Sequence, residues 1–158
     1  MPNLLRHRVI KPLVIAFAML ATTLVPATAA HATYGPDDPV FLEAYSPNGS
    51  IKLAGAYGTI AFDDGNTKFR YSIILCRESS YTEPNLRFIV NDTTQYGATW
   101  AGRVVTPLCK FPATQLAGEV DHGSIVRKVK VQLDAIYFDF PNTAVPVIKD
   151  TPYDNPFN

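Results

Sequence analysis

Cysteine and histidine are scarce in this 158-residue chain, two of one and three of the other. His7 and His31 fall within the first 32 residues, so only His122 belongs to the rest. Protein zinc and copper sites draw several ligands from these two residue types, so a multi-histidine centre within one chain is excluded and no metal or cofactor is expected. A Ser-His-Asp relay would have to pass through His122, for which the sequence places no partners. A solvated turn is the simpler reading of "GEVDHGS". Net charge is absent as well, with fourteen basic against fourteen acidic residues. Nothing electrostatic draws such a chain to nucleic acid or to anionic lipid. "DDGN" (63–66) has carboxylates but neither the alternating spacing nor the closing glutamate of a calcium loop, and reads as a turn. No window carries a sustained helical period, and no segment repeats.

What the chain does have begins with its leader. "MPNLLRHRVIK" holds Arg6, Arg8 and Lys11 without an acid, and an apolar stretch rich in small residues follows. Ala30 and Ala32 flank His31 at the −3 and −1 positions. This is the form of a secretory signal peptide, 1–32, cleaved on export. An uncleaved anchor or a cut after Ala29 are the alternatives; the stretch is short for a bilayer span. Without the leader, eleven basic residues face fourteen acids, a net charge of −3. The remainder, 33–158, is the size of one domain. The expected localisation is secreted, extracellular, with no membrane association after cleavage.

Export makes the two cysteines legible. Outside the cytosol a thiol pair within reach oxidises, so Cys76 and Cys109 are expected to form one disulfide. A nucleophilic Cys76 would need a thiolate and a nearby base, and His122 is the sole histidine available.

Period-2 alternation dominates the mature chain. "SIKLAGAYGTIAF" (50–62) and "TKFRYSIILC" (67–76) are strand-like runs joined by an Asp-Gly turn, a hairpin signal. In the second run Phe69, Tyr71, Ile73 and Leu75 share one face, with Lys68, Arg70 and Ser72 on the other. "NLRFIVND" (85–92) aligns Leu86, Phe88 and Val90, and "YGATWAGRVV" (96–105) is a weaker strand. The longest is "SIVRKVKVQLDAIYFDF" (124–140), with Val129, Val131, Leu133, Ala135 and Tyr137 on one face. "RESSYTEP", "TPLCKFPATQLAGEVDHG" and the proline-rich tail 141–158 read as loops. The expectation is all-β: a single antiparallel β-sandwich, Ig-like or jelly-roll-like, with one disulfide.

Three groups of residues are candidates for function. Tyr96 and Trp100 project to one strand face, with Tyr81 in the polar loop as a further contact. Exposed, such rings make a platform for sugars or partner side chains; buried, Trp100 fills the core. Glu78, Glu83 and Asp92 are the acids from which a small hydrolase would draw a carboxylate pair. Ile136, Phe138 and Phe140 make the end of the longest strand apolar on both faces, to be covered by the tail or by another molecule, self-association included. Asn48-Gly49-Ser50 and Asn91-Asp92-Thr93 match the glycosylation acceptor pattern.

The region around Cys76, "LRFIVND", Cys109 and "VRKVKVQLDA" resembles small exported proteins of actinobacteria. The likeness lies in one disulfide, a Phe- and Val-rich middle strand and a late strand alternating basic with apolar residues. It covers about half of the mature chain and rests on pattern. A cysteine in the last strand, common among them, is absent here. The resemblance implies a β-sandwich and a bacterial exporter, and no particular chemistry. The expected function is that of a secreted non-catalytic binding protein acting on an envelope glycan or an extracellular protein. A small hydrolase and a self-assembling surface protein are the alternatives.

Overall fold

The computed structural model describes residues 33–81 and 83–158; the expected leader, 1–32, lies outside the described residues. Eight strands run in chain order: β1 (Asp38–Tyr45), β2 (Lys52–Phe62), β3 (Lys68–Arg77), β4 (Asn85–Val90), β5 (Thr94–Thr99), β6 (Thr114–Asp121), β7 (Lys128–Asp139) and β8 (Thr143–Asp154). They form two antiparallel four-stranded sheets, ordered β1-β2-β3-β6 and β5-β4-β7-β8. The fold is an all-β sandwich, as expected.

The alternation seen in the sequence builds the core directly. Phe69, Ile73 and Leu75 of β3 are fully buried, as are Leu86 and Val90 of β4 and Val129, Val131 and Leu133 of β7. Removing each such side chain from water contributes about 1.5–3 kcal/mol. Phe62 and Ile60 of β2 complete the floor beneath them. Phe69 meets Phe88 across the sheets at 5.6 Å between ring centroids, and Tyr71 meets Phe88 at 4.4 Å. The Asp-Gly turn closes the β2–β3 hairpin. Asp63 does more there than turn the chain: its buried Oδ1 accepts from the N–H groups of Thr67 and Lys68.

Cys76 and Cys109 are joined, with a Cα–Cα distance of 5.2 Å. The bond ties the loop between β5 and β6 to the end of β3, where Phe111 N–H also donates to Arg77 C=O.

β5 ends at Thr99 instead of running on to 105, and three further strands depart from the sequence reading. β1, left unassigned, buries Val40, Leu42 and Ala44 against the core. β6, read as loop, turns only Thr114, Leu116 and Val120 inward, and its small and acidic residues hide the alternation. β8, read as a proline-rich tail, is a twelve-residue strand beside β7. Its prolines are tolerated for a definite reason. Asn155 N–H donates to Arg127 C=O, one step beyond the Lys128–Asp154 pair. Hydrogen-bonded pairs alternate in an antiparallel ladder, so odd-numbered residues of β8 bond to β7 and even-numbered ones face away. Pro146 and Pro152 are both even, and neither deprives the ladder of a donor.

Candidate binding surface

The predicted contact residues do not converge on one platform. Trp100 follows β5 directly and is half-buried against the core. Its Nε1–H donates to Pro112 C=O at 2.8 Å, and the Arg77 guanidinium lies 5.1 Å from its ring centroid. Gly102, at φ 61°, crosses the ring so closely that a Cβ there would sit 2.7 Å from Cζ2. Indole and guanidinium thus pack on each other at the disulfide end of the sandwich.

Tyr96 is also half-buried. Its ring packs edge-on to Phe69 at 6.5 Å, and its hydroxyl is 3.1 Å from His122 Nδ1. His122 is not the solvated turn residue expected: its N–H donates to Thr67 C=O and its ring links the two sheets through Tyr96. Tyr81 lies elsewhere, exposed, with its ring 5.4 Å from Tyr137 and 6.3 Å from Phe138. It belongs with the apolar end of β7.

The acids are separated too. Glu78 follows the last residue of β3, where its Oε2 accepts from Lys110 N–H and its Oε1 is 3.7 Å from Lys52 Nζ. Asp92 follows β4 beside the Asn66 end of β3, since Asn91 is bonded to Ile125 and Val126 to Asn66. Ten residues of strand, about 30 Å at 3.3 Å per residue, lie between those ends. Asp92 is occupied by Lys128 at 2.5 Å and Lys130 at 3.7 Å. These contacts hold its carboxyl below the usual range, the Lys128 hydrogen bond first. Glu83 is exposed ahead of Pro84. Glu78 and Asp92 therefore make no carboxylate pair.

A second polar group sits on the outer face of the β1–β2 pair. Glu43 Oε1 accepts from Lys52 Nζ at 2.6 Å and from the Tyr57 hydroxyl at 2.8 Å, and Tyr45 donates to Oε2 at 2.8 Å. The Lys52 bond, then the Tyr57 bond, lower the Glu43 pKa to about 2. Every member is held by another, which suits a surface clamp between strands. Among the described residues no group of three or more His, Cys, Asp or Glu side chains is placed to hold a metal.

The surface left open lies on the outer face of β7 and β8. The tail was expected to fold over Ile136, Phe138 and Phe140. It instead extends the sheet sideways, pairing Ile136 with Pro146 and Phe138 with Ala144, so it adds apolar surface to that face. Phe140 is 94% exposed at the hairpin tip, Ile148 is 55% exposed and Ile136 37%. A shallow depression of about 180 Å³ opens here, between Ile136, Pro146, Ile148, Asn85, Arg87 and Asp134. Arg87 Nε lies 2.7 Å from Asp134 Oδ2, an ion pair off the direction of a hydrogen bond, while Gln132 Nε2 donates to Oδ1 at 2.7 Å. Arg87, Asp134, Pro146 and Ile148 were missed as site residues because β8 had been read as loop, and its pairing alone brings them together.

Comparison with known proteins finds no family model, curated protein or solved structure that matches the chain.

Proposed function

We propose that this is a secreted, non-catalytic binding protein whose partner is an extracellular protein. Its contact surface is the outer face of the β7–β8 hairpin. One observation carries the reading: Ile136, Pro146 and Ile148 stand exposed around the Arg87–Asp134 pair, and Phe140 is 94% exposed at the tip of the same hairpin. Protein interfaces are enriched in aromatic residues and arginine, and their energetic anchors cluster near the centre. Monomeric proteins seldom expose such a patch without use for it. The Cys76–Cys109 bond supports an oxidising compartment, and the leader supports export.

The test is co-sedimentation of purified protein with cell envelopes of the producing organism, before and after protease treatment. Retention that is lost on protease treatment, and lost again with Phe140→Ser and Ile148→Ser together, is the expected result. Retention that survives protease would mark a glycan ligand. Retention unchanged by the double variant, whose fold is checked by circular dichroism, would refute the surface.

A further inference from the structure

The two sheets present four edges, and three of them are defended. β8 turns Pro146 and Pro152 outward, which removes two of its edge donors. β1 has Pro39 near its start, with the Pro39 carbonyl accepting from the Tyr153 hydroxyl at 3.0 Å. β5 is only six residues long. β6 differs: it is longer than β5, and unlike β1 and β8 it carries no proline. Its phase is set by His122 N–H donating to Thr67 C=O, one step beyond the Lys68–Asp121 pair. Even-numbered residues therefore bond to β3, and the backbone groups of Gln115, Ala117, Glu119 and Asp121 point where no strand follows.

The start of that edge is closed. Val104 exchanges hydrogen bonds with Ala113 at 2.9 and 2.6 Å, and Thr114 Oγ1 accepts from the N–H groups of Ala101 and Gly102. Among the described residues the edge is open from Gln115 to Asp121.

We propose that the open edge of β6 pairs antiparallel with β6 of a second copy of this chain, joining two four-stranded sheets into one of eight. The register argues for a second copy as the occupant. With a two-fold axis at Gly118, Ala117 faces Glu119 of the partner subunit, Gln115 faces Asp121 of the partner subunit, and Leu116 faces Val120 of the partner subunit. Leu116 meets Val120, the Gln115 amide meets the Asp121 carboxylate, Glu119 meets only the small Ala117, and no acid opposes an acid. That register uses the open residues alone. Moving it so that Ala117 faces its own copy would drive Asp121 against Ala113, whose edge Val104 already occupies. The acids are also neutralised on their own sheet, since Lys68 Nζ lies 3.1 Å from Glu119 and 3.4 Å from Asp121. Gly118 adds no side chain at the axis, and Tyr71 reaches the space a Cβ there would take, with its hydroxyl 3.1 Å away. A single strand edge buries less than the roughly 1,200–2,000 Å² of stable interfaces, so the dimer is weak and concentration-dependent. It lies on the other sheet from the β7–β8 surface and stands apart from the function proposed above.

The test is sedimentation velocity of the purified protein from low micromolar to submillimolar concentration, with amide hydrogen exchange followed in parallel. A monomer–dimer equilibrium is expected, with exchange at Gln115, Ala117 and Glu119 slowing as concentration rises. Ala117→Pro removes a donor that the β3 ladder does not use, and it should abolish dimerisation while keeping the circular dichroism spectrum. Should that variant not fold, the exchange pattern of the natural chain decides alone. A protein that stays monomeric throughout overturns the proposal. So does a dimer that survives Ala117→Pro, or one whose concentration-dependent protection falls on 143–154 and is lost with Ile148→Lys.

Discussion

Asn91 begins one of the two glycosylation-type patterns, yet both its side-chain oxygen and its nitrogen are hydrogen-bonded. Its Nδ2–H donates to Ile125 C=O at 2.7 Å, and its Oδ1 accepts from the N–H groups of Arg127 at 2.8 Å and Lys128 at 3.3 Å. Those bonds clip the segment entering β7 to the end of β4. Asn91 also has φ 51°, a region where asparagine is better tolerated than most residues. Asn91→Gly keeps the backbone freedom and loses the bonds. At about 1 kcal/mol net for each bond, reduced because the site is only half-buried, the loss should be about 2 kcal/mol. Asn91→Ala adds the cost of a left-handed backbone, about 1 kcal/mol more. Asn91→Asp keeps the acceptor and turns an oxygen towards Ile125 C=O, so it should fall between the natural protein and Asn91→Gly. Urea unfolding followed by tryptophan fluorescence gives all three values from midpoint and slope. Equal stability of Asn91→Gly and the natural protein would refute the role of these bonds, and equal glycine and alanine variants would refute the backbone cost. A glycan would replace one of the two Nδ2 hydrogens beside the Ile125 contact, whereas Asn48 stands in an exposed turn and uses only its Oδ1.

The remaining expectations concern the disulfide, the surface clamp and the indole. Replacing both Cys76 and Cys109 by alanine should lower stability by about 3–4 kcal/mol for a 33-residue separation, read as a shift in denaturant midpoint; equal midpoints would remove the staple from the account. Glu43 has its carboxyl lowered from 4.5 to about 2. The Glu43 contribution is therefore complete above pH 4.5 and is lost as pH falls towards 2. Solvent screening at this partly exposed site holds it to about 1–2 kcal/mol. The stability gap between the natural protein and Glu43→Gln should close over that window, and a gap independent of pH would contradict it. Trp100 should emit at short wavelength and resist iodide quenching, whereas Gly102→Ala, pressed into the ring at positive φ, should destabilise the fold and shift emission to the red. Free quenching in the natural protein would place the indole in water.

The three strands whose alternation is clearest in the sequence share a physical condition. β3, β4 and β7 each have a strand on both sides, and each presents one face to the core. Burial then falls on every second residue, and alternation such as Val129, Val131, Leu133 is a property of the segment itself. The disulfide was legible for a similar reason, because two cysteines beyond an export leader have only each other. β1, β6 and β8 are edge strands with one neighbour. Their outward backbone accepts proline, glycine and acids, the residues that a linear reading takes for loop, and only the register with β2, β3 and β7 shows them as strands.

The same division runs through the candidate surfaces. Residue types alone marked Trp100, Tyr96 and Tyr81 as aromatic contacts and Ile136, Phe138 and Phe140 as an apolar excess. Which rings face water depended on partners far away in the chain: Pro112, Arg77 and Gly102 close around Trp100, and His122 meets Tyr96. Pairing with β8 set Pro146 and Ile148 beside Ile136, above an ion pair between β4 and β7. Local composition determines which face of a strand seeks the core, since that depends on the transfer of each side chain from water. Exposure of one particular ring depends on long-range packing, which pattern along the chain does not encode.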